Sequence, residues 1–380
     1  MRSSECRMTA ALVKSGVFRD APFSLIDVGA SGGIAQRWFI FGDHLRAVGC
    51  DPLVAECERL NRESTNPNVC YRACFVVSND PVDAIPDDLR VDPSLLKDNY
   101  PLARSSSTEA IRLLGMDYAR EQYNRGAPMR HAEERITLDD FAALRPEFHA
   151  NFLKVDTDGS DLQVLRGGRQ LLRSSDMLGV AVEANLHGPI HPAANTWPHI
   201  DALLRENGFT LFDMSLWRFS RAALPAKFVY EVPAQTIQGQ ILWGDALYLR
   251  DLGAPDYDLI WGASPSALNV LKLACLFELH DLADCAAELL LQREALVSAI
   301  TEVGPLLDLL TPCVDGAVVG YQRYVELFRD SPRRFFPSSP MRIDPNPRRQ
   351  RRWQRLHDVA SHLKQAGREV RRAIGELGPR

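Results

Sequence analysis

The chain has 380 residues, 46% of them hydrophobic and 24% charged, with a formal net charge of −5. That length supports two domains and a substantial core, and the charge disfavours nucleic acid as a partner. No run approaches the roughly 18 apolar residues of a membrane span, the N-terminus lacks a signal-like apolar core, and the eight cysteines form no C-x-x-C pair, so a cytoplasmic protein without a metal site is expected.

The first strand, expected at 24–28, contains Asp27 and runs into Gly29-Ala30-Ser31-Gly32-Gly33, where glycines let backbone approach a ligand. A helix is expected near 33–41. The spacing is not G-x-G-x-x-G, and Asp27 would repel a pyrophosphate. A cationic or hydroxyl-rich ligand suits it better, and S-adenosylmethionine combines an ammonium and a sulfonium with a ribose diol. The strand at 45–50 leads into Asp51, 24 residues after Asp27 and close to the roughly 20-residue offset that puts an acid on ribose hydroxyls. Asp27, Gly29, Ser31 and Gly33 are assigned to the methionine end of such a cofactor, Asp51 to the ribose and Asp80 to the adenine side. A helix at 53–63 and a strand at 70–77 follow. Residues 78–135 break the alternation with Pro81, Pro86, Pro93 and Pro101, as a substrate cover or a surface insertion.

The most acid-rich turn is Phe152-Leu153-Lys154-Val155-Asp156-Thr157-Asp158-Gly159-Ser160-Asp161-Leu162, where a strand at 151–156 gives way to a helix at 158–173. Asp156 is assigned to the cofactor or the acceptor, Asp158 is divided between substrate contact and helix capping, and Asp161 supports the first helical turn. The next strand, 178–184, carries Glu183 near its end, with His187 beyond it. Asp158, Glu183 and His187 are the candidates for a catalytic base. A helix at 196–207 and strands at 209–213 and 242–249 complete a pattern that predicts an α/β, Rossmann-like, mostly parallel sheet.

The combination of Asp27-Val28-Gly29-Ala30-Ser31-Gly32-Gly33, Cys50-Asp51-Pro52, Ile136-Thr137-Leu138-Asp139-Asp140-Phe141, the 152–161 stretch and Val164-Leu165-Arg166-Gly167-Gly168 resembles the FkbM family of class I, S-adenosylmethionine-dependent methyltransferases. The resemblance covers roughly residues 20–250. It implies seven strands with the last inserted antiparallel, and a hydroxyl of a sugar, glycan or similar polar metabolite as the acceptor. The family usually carries glutamates where this chain has Asp51, Asp158 and Asp161.

Segment 1–20 precedes the domain at 21–250. Residues 251–330 are expected to hold a helical hairpin, 268–279 and 285–291, for packing or homodimerisation. Residues 331–380 carry 13 Lys plus Arg and 4 Asp plus Glu, a net of +9 that leaves −14 elsewhere. This basic helical tail forms a solvated face or pairs with the acidic body, docks on an anionic membrane at the inner surface of the cell or on a lipid-linked glycan, or, as the least favoured option, binds nucleic acid. The expected activity is O-methyl transfer. Its rivals are a non-catalytic scaffold with a degenerate domain and a nicotinamide-dependent oxidoreductase.

Overall fold

The computed structural model describes residues 6–81, 130–157, 159–187, 192–219, 236–262, 264–314 and 316–331. Asp158, most of the 78–135 insertion and nearly all of the basic tail lie outside them. The chain divides into two units, Met1–Thr311 and Pro312–Arg380. Of the second, helix Tyr321–Asp330 is described, and none of its residues is buried.

The first unit is built on seven strands: β1 (Phe23–Val28), β2 (Leu45–Asp51), β3 (Val69–Ala73), β6 (Phe152–Val155), β7 (Gly179–Asn185), β8 (Thr210–Phe219) and β9 (Gln240–Leu249). They lie in the order β3-β2-β1-β6-β7-β9-β8. The β2–β3, β1–β2, β1–β6 and β6–β7 pairs are parallel, and β9 runs antiparallel between β7 and β8. The order reverses between β1 and β6, so the carboxyl edge there is the crevice where open α/β sheets bind ligands.

The strand expected at 70–77 divides in two. After Ala73 the chain leaves the main sheet, and β4 (Phe75–Val76) pairs in parallel with β5 (Arg135–Ile136). An isolated bridge between Leu53 and His131 lies beside this ladder. The insertion therefore closes next to Asp51.

The helix expected at 158–173 is two helices, α4 (Asp161–Arg166) and α5 (Arg169–Arg173). A Cβ on Gly167 would lie 2.2 Å from the Val77 carbonyl oxygen, and one on Gly168 would lie 2.9 Å from the Leu138 side chain. The glycine pair lets this corner pack down, and the helix breaks there. The segment expected as a helix at 33–41 is a 3₁₀ helix over Gln36–His44, broken at Gly42. The strand expected at 209–213 continues to Phe219, making a long hairpin with β9 on the ligand side.

One sheet face carries the main apolar cluster: Ile26, Val28, Val48, Leu153, Val155, Val180 and Val182 pack against Leu162, Leu165, Leu172, Ile200 and Leu204. At the amino end of the other face, Phe23 stacks on Phe41 and Trp38, and Phe152 stacks on His280. Helix α8 (Ala267–Leu279), buried from Asn269 to Leu279, belongs to this cover. Such all-round burial marks a core helix rather than a surface one. It forms a hairpin with α9 (Ala283–Gln292), turning at Asp281, whose φ is 61°. The Glu278 carboxylate of α8 accepts from the Met8 and Thr9 amides at 3.0 and 2.7 Å, tying down the first helix, Arg7–Ser15.

Candidate functional site

The carboxyl ends of β1, β2 and β6 bring Asp27, Gly29, Ser31, Asp51 and Asp156 to one edge. Asp27 is 2% exposed and receives the Lys154 ammonium at 3.0 Å. Lys154 also lies 3.4 Å from Asp156 and 3.4 Å from the Gly29 carbonyl. Burial pushes the Asp27 carboxyl up to about 6, even with this cation beside it.

Gly29 is the closest approach in the site. Its φ is +81°, and a Cβ would stand 1.7 Å from the Asp156 carbonyl oxygen. The turn can pass between β1 and β6 only as glycine.

Five of the six amides from Gly29 to Ile34 are already used. Gly29 and Ala30 donate to the Cys50 carbonyl at 2.9 and 3.1 Å, and Gly33 donates to Ala30 at 2.9 Å. The Ser31 amide lies near the Asp51 carboxylate and favours its charged form. Gly32 donates to Glu56 Oε1 at 3.0 Å, and Ile34 to the Tyr71 hydroxyl at 3.0 Å. A pyrophosphate cradle needs free amides at a helix N-terminus. This loop has five occupied amides, leaves only that of Ser31, and leads into a 3₁₀ segment.

Asp51, 5% exposed, takes the Leu53 amide on Oδ1 at 2.8 Å. Burial raises its carboxyl from the ordinary value, opposed by the Leu53 and Ser31 amides. A carboxylate has about four acceptor positions. With the Leu53 amide bound, Asp51 keeps capacity for hydroxyl donors. Beside it, a Cβ on Gly32 would meet nothing within 4 Å, so the loop borders open space. Buried acids, an acceptor for a diol and an open glycine turn fit S-adenosylmethionine.

The remaining candidates are distributed along the same edge. Asp80 forms an ion pair with Arg169 at 3.4 Å. Asp161, fully buried, folds back on its own turn: it accepts from the Thr157 amide at 2.9 Å, the Gly159 amide at 3.3 Å and the Asn195 side chain at 2.9 Å. It fixes the 157–159 turn and has no exposed surface for chemistry. Glu183 lies on β7, opposite Asp245 of β9. The exposed His187 puts Nε2 2.7 Å from the Ile241 carbonyl, so Nε2 carries a donated proton and Nδ1 is the acceptor nitrogen in the neutral ring.

Lys154 and Asp245 are site residues that pattern reading passed over. A lysine inside a buried strand demands a counter-charge, and that signal was available in Phe152-Leu153-Lys154-Val155. Asp245, raised by burial, accepts from the Trp217 indole at 2.7 Å.

Residues 27–211 match the family model of the Methyltransferase FkbM domain. The chain carries an FkbM methyltransferase domain over just under half its length. S-adenosylmethionine is the cofactor of this family. Among solved structures, the FkbM methyltransferase of Methylobacillus flagellatus KT is 13% identical, with a TM-score of 0.30 over 60% of this chain and 43% of that one. The chain thus spans less than half the length of that relative. Magnesium protoporphyrin IX methyltransferase of Synechocystis PCC 6803, solved with bound S-adenosylmethionine, is 8% identical, with a TM-score of 0.26 over 64% of this chain and 79% of that one. No curated protein matches. Among the described residues no helix is long and apolar enough to cross a membrane.

Proposed function

We propose that the chain is an S-adenosylmethionine-dependent O-methyltransferase acting on a hydroxyl of a sugar, glycan or similar polar metabolite. The observation that carries this reading is the glycine turn, five of its six amides internally bonded, flanked by the buried carboxylates of Asp27 and Asp51 at the switch point of the sheet. A nicotinamide dinucleotide would bring a pyrophosphate to a loop whose amides, Ser31 apart, are already taken.

Bound S-adenosylmethionine supplies a methyl group on a sulfonium, displaced in line by the acceptor oxygen. The protein's task is then mostly orientation. Asp51 holds the ribose hydroxyls, while Asp27, kept in place by Lys154, and the Gly29–Gly33 turn hold the methionine end. Glu183, or His187 through Nδ1, takes the acceptor proton as the new bond forms. Of the acids shorter than the family's glutamates, Asp161 is too enclosed for its length to bear on catalysis.

Isothermal titration of the full chain with S-adenosylmethionine, its demethylated product and NAD tests the reading. Binding of the first two and not the third is expected, and no affinity for either of the first two overturns it. Glu183→Gln and His187→Ala are expected to slow transfer from labelled S-adenosylmethionine, the true base by about 10²–10⁴-fold. Cofactor affinity should stay within about twofold, because neither side chain is placed on the cofactor. An equal loss of cofactor binding would reassign them.

A further inference from the structure

Asn185, the last residue of β7, is 3% exposed, and its Oδ1 is buried without a hydrogen-bond partner. An orphaned amide oxygen in a folded protein is uncommon and costly, so it asks for a reason. Strand alternation puts Asn185 on the same sheet face as Ala181 and Glu183. The register sets Asn185 across from Trp243, Glu183 across from Asp245, and Ala181 beside Lys154, which neighbours Asp27. On the next strand Trp217 stands opposite Trp243, with ring centroids 6.5 Å apart and planes within 26°. The orphaned oxygen thus lies on the face that continues directly from the cofactor site.

The polar groups on this face are almost all acceptors. Carboxylates come from Asp156, Glu183 and Asp245, and the Trp217 indole N–H is already given to Asp245. Lys154 is engaged by Asp27 and Asp156.

Resting on the methyl-transfer reading, we infer that the β7–β9–β8 face is the acceptor subsite, and that Asn185 Oδ1 takes a hydrogen bond from a hydroxyl or amino group of the acceptor. The indoles of Trp217 and of Trp243, the cross-strand neighbour of Asn185, offer an apolar flank to the acceptor's ring. A buried acceptor left unpaired discriminates strongly against molecules without the matching donor.

The test uses full-length protein loaded with the demethylated cofactor product and follows tryptophan fluorescence. The probes are methyl α-D-glucopyranoside (hydroxyls only), D-glucosamine (with an ammonium) and tetrahydropyran (a ring with no donor). Saturable binding of at least one sugar and none of tetrahydropyran is expected, and the tighter sugar tells which donor the site takes. Asn185→Leu should weaken that binding about tenfold or more and leave the affinity for the cofactor product unchanged. The same variant should melt higher, since an apolar isostere removes an unmet polar group. Asn185→Asp, which keeps an oxygen in place, should retain binding. Sugar binding by Asn185→Leu equal to the parent, equal response to tetrahydropyran, no saturable binding, or a lower melting point for Asn185→Leu each overturns the inference. Loss of cofactor-product binding in the parent would instead strike the methyl-transfer reading.

Discussion

Gly29→Ala is expected to abolish S-adenosylmethionine binding and to cost about 4 kcal/mol or more of stability. The added methyl would stand 1.7 Å from the Asp156 oxygen and 2.7 Å from its carbonyl carbon. Both atoms are backbone, and the Asp156 amide is fixed to the Val28 carbonyl at 2.9 Å, so neither strand can yield without breaking the β1–β6 pairing. Positive φ adds strain to the clash. Losses of that size come from a short list of causes, and forced backbone displacement in a packed core is one. Gly32→Ala is the control: its φ is +82°, but the methyl would meet nothing. It should cost only about 1–2 kcal/mol from the left-handed conformation. Chemical denaturation and cofactor titration of the two variants measure both effects. Equal losses would show that conformation, not close approach, sets the requirement for glycine.

Stability and cofactor affinity should respond to pH in opposite directions around Asp27. Its carboxyl sits at about 6 in the fold against an ordinary value of 3.8. Between those values the folded chain holds more protons than the unfolded one, so stability is highest below about 4, falls as pH rises, and levels off above about 6. The contribution of Asp27 is roughly 3 kcal/mol, from two pH units at about 1.4 kcal/mol each. Cofactor affinity should rise through the same window, because the ionised carboxylate is the form that attracts the cationic methionine end. Burial raises Asp51, Asp161 and Asp245 as well, so the comparison has to be made against Asp27→Asn. That variant should flatten this part of the stability profile and weaken cofactor binding at neutral pH. Lys154→Met should move the affinity midpoint above 6, because it removes the cation that opposes burial. Melting curves and titrations across pH 4–8 would show it, and an unchanged stability slope in Asp27→Asn would sink the assignment.

The parts of the fold legible in the sequence were those written locally. Apolar runs ending near acids marked β1, β2, β6 and β7 to within a residue or two, and the 24-residue offset placed Asp51 beside the glycine turn. What escaped depends on contacts distant in sequence. The break at Gly167-Gly168 comes from Val77 and Leu138, and the departure of β4 from the sheet comes from its pairing with residues 60 positions later. Asp213 and Ser215 interrupt the apolar run of β8, which hid the length of the hairpin and with it Trp217, Asp245 and their register with Asn185. Asp161 looked like a helix-start acid, and its actual partners are the Thr157 and Gly159 amides and the side chain of Asn195.

The clasp between Glu278 and the first helix has a consequence for how the chain is made. Met8 and Thr9 leave the ribosome some 270 residues before the carboxylate that receives their amides. At typical synthesis rates that is a wait on the order of tens of seconds. During that time the aromatic stack of Phe23, Trp38 and Phe41 has no α8 to close over that side of the sheet. Pairings so far apart in sequence slow the final docking step. Nascent chains of this protein should therefore stay open to proteases and chaperones until the hairpin of α8 and α9 emerges, however early the cofactor turn itself has formed.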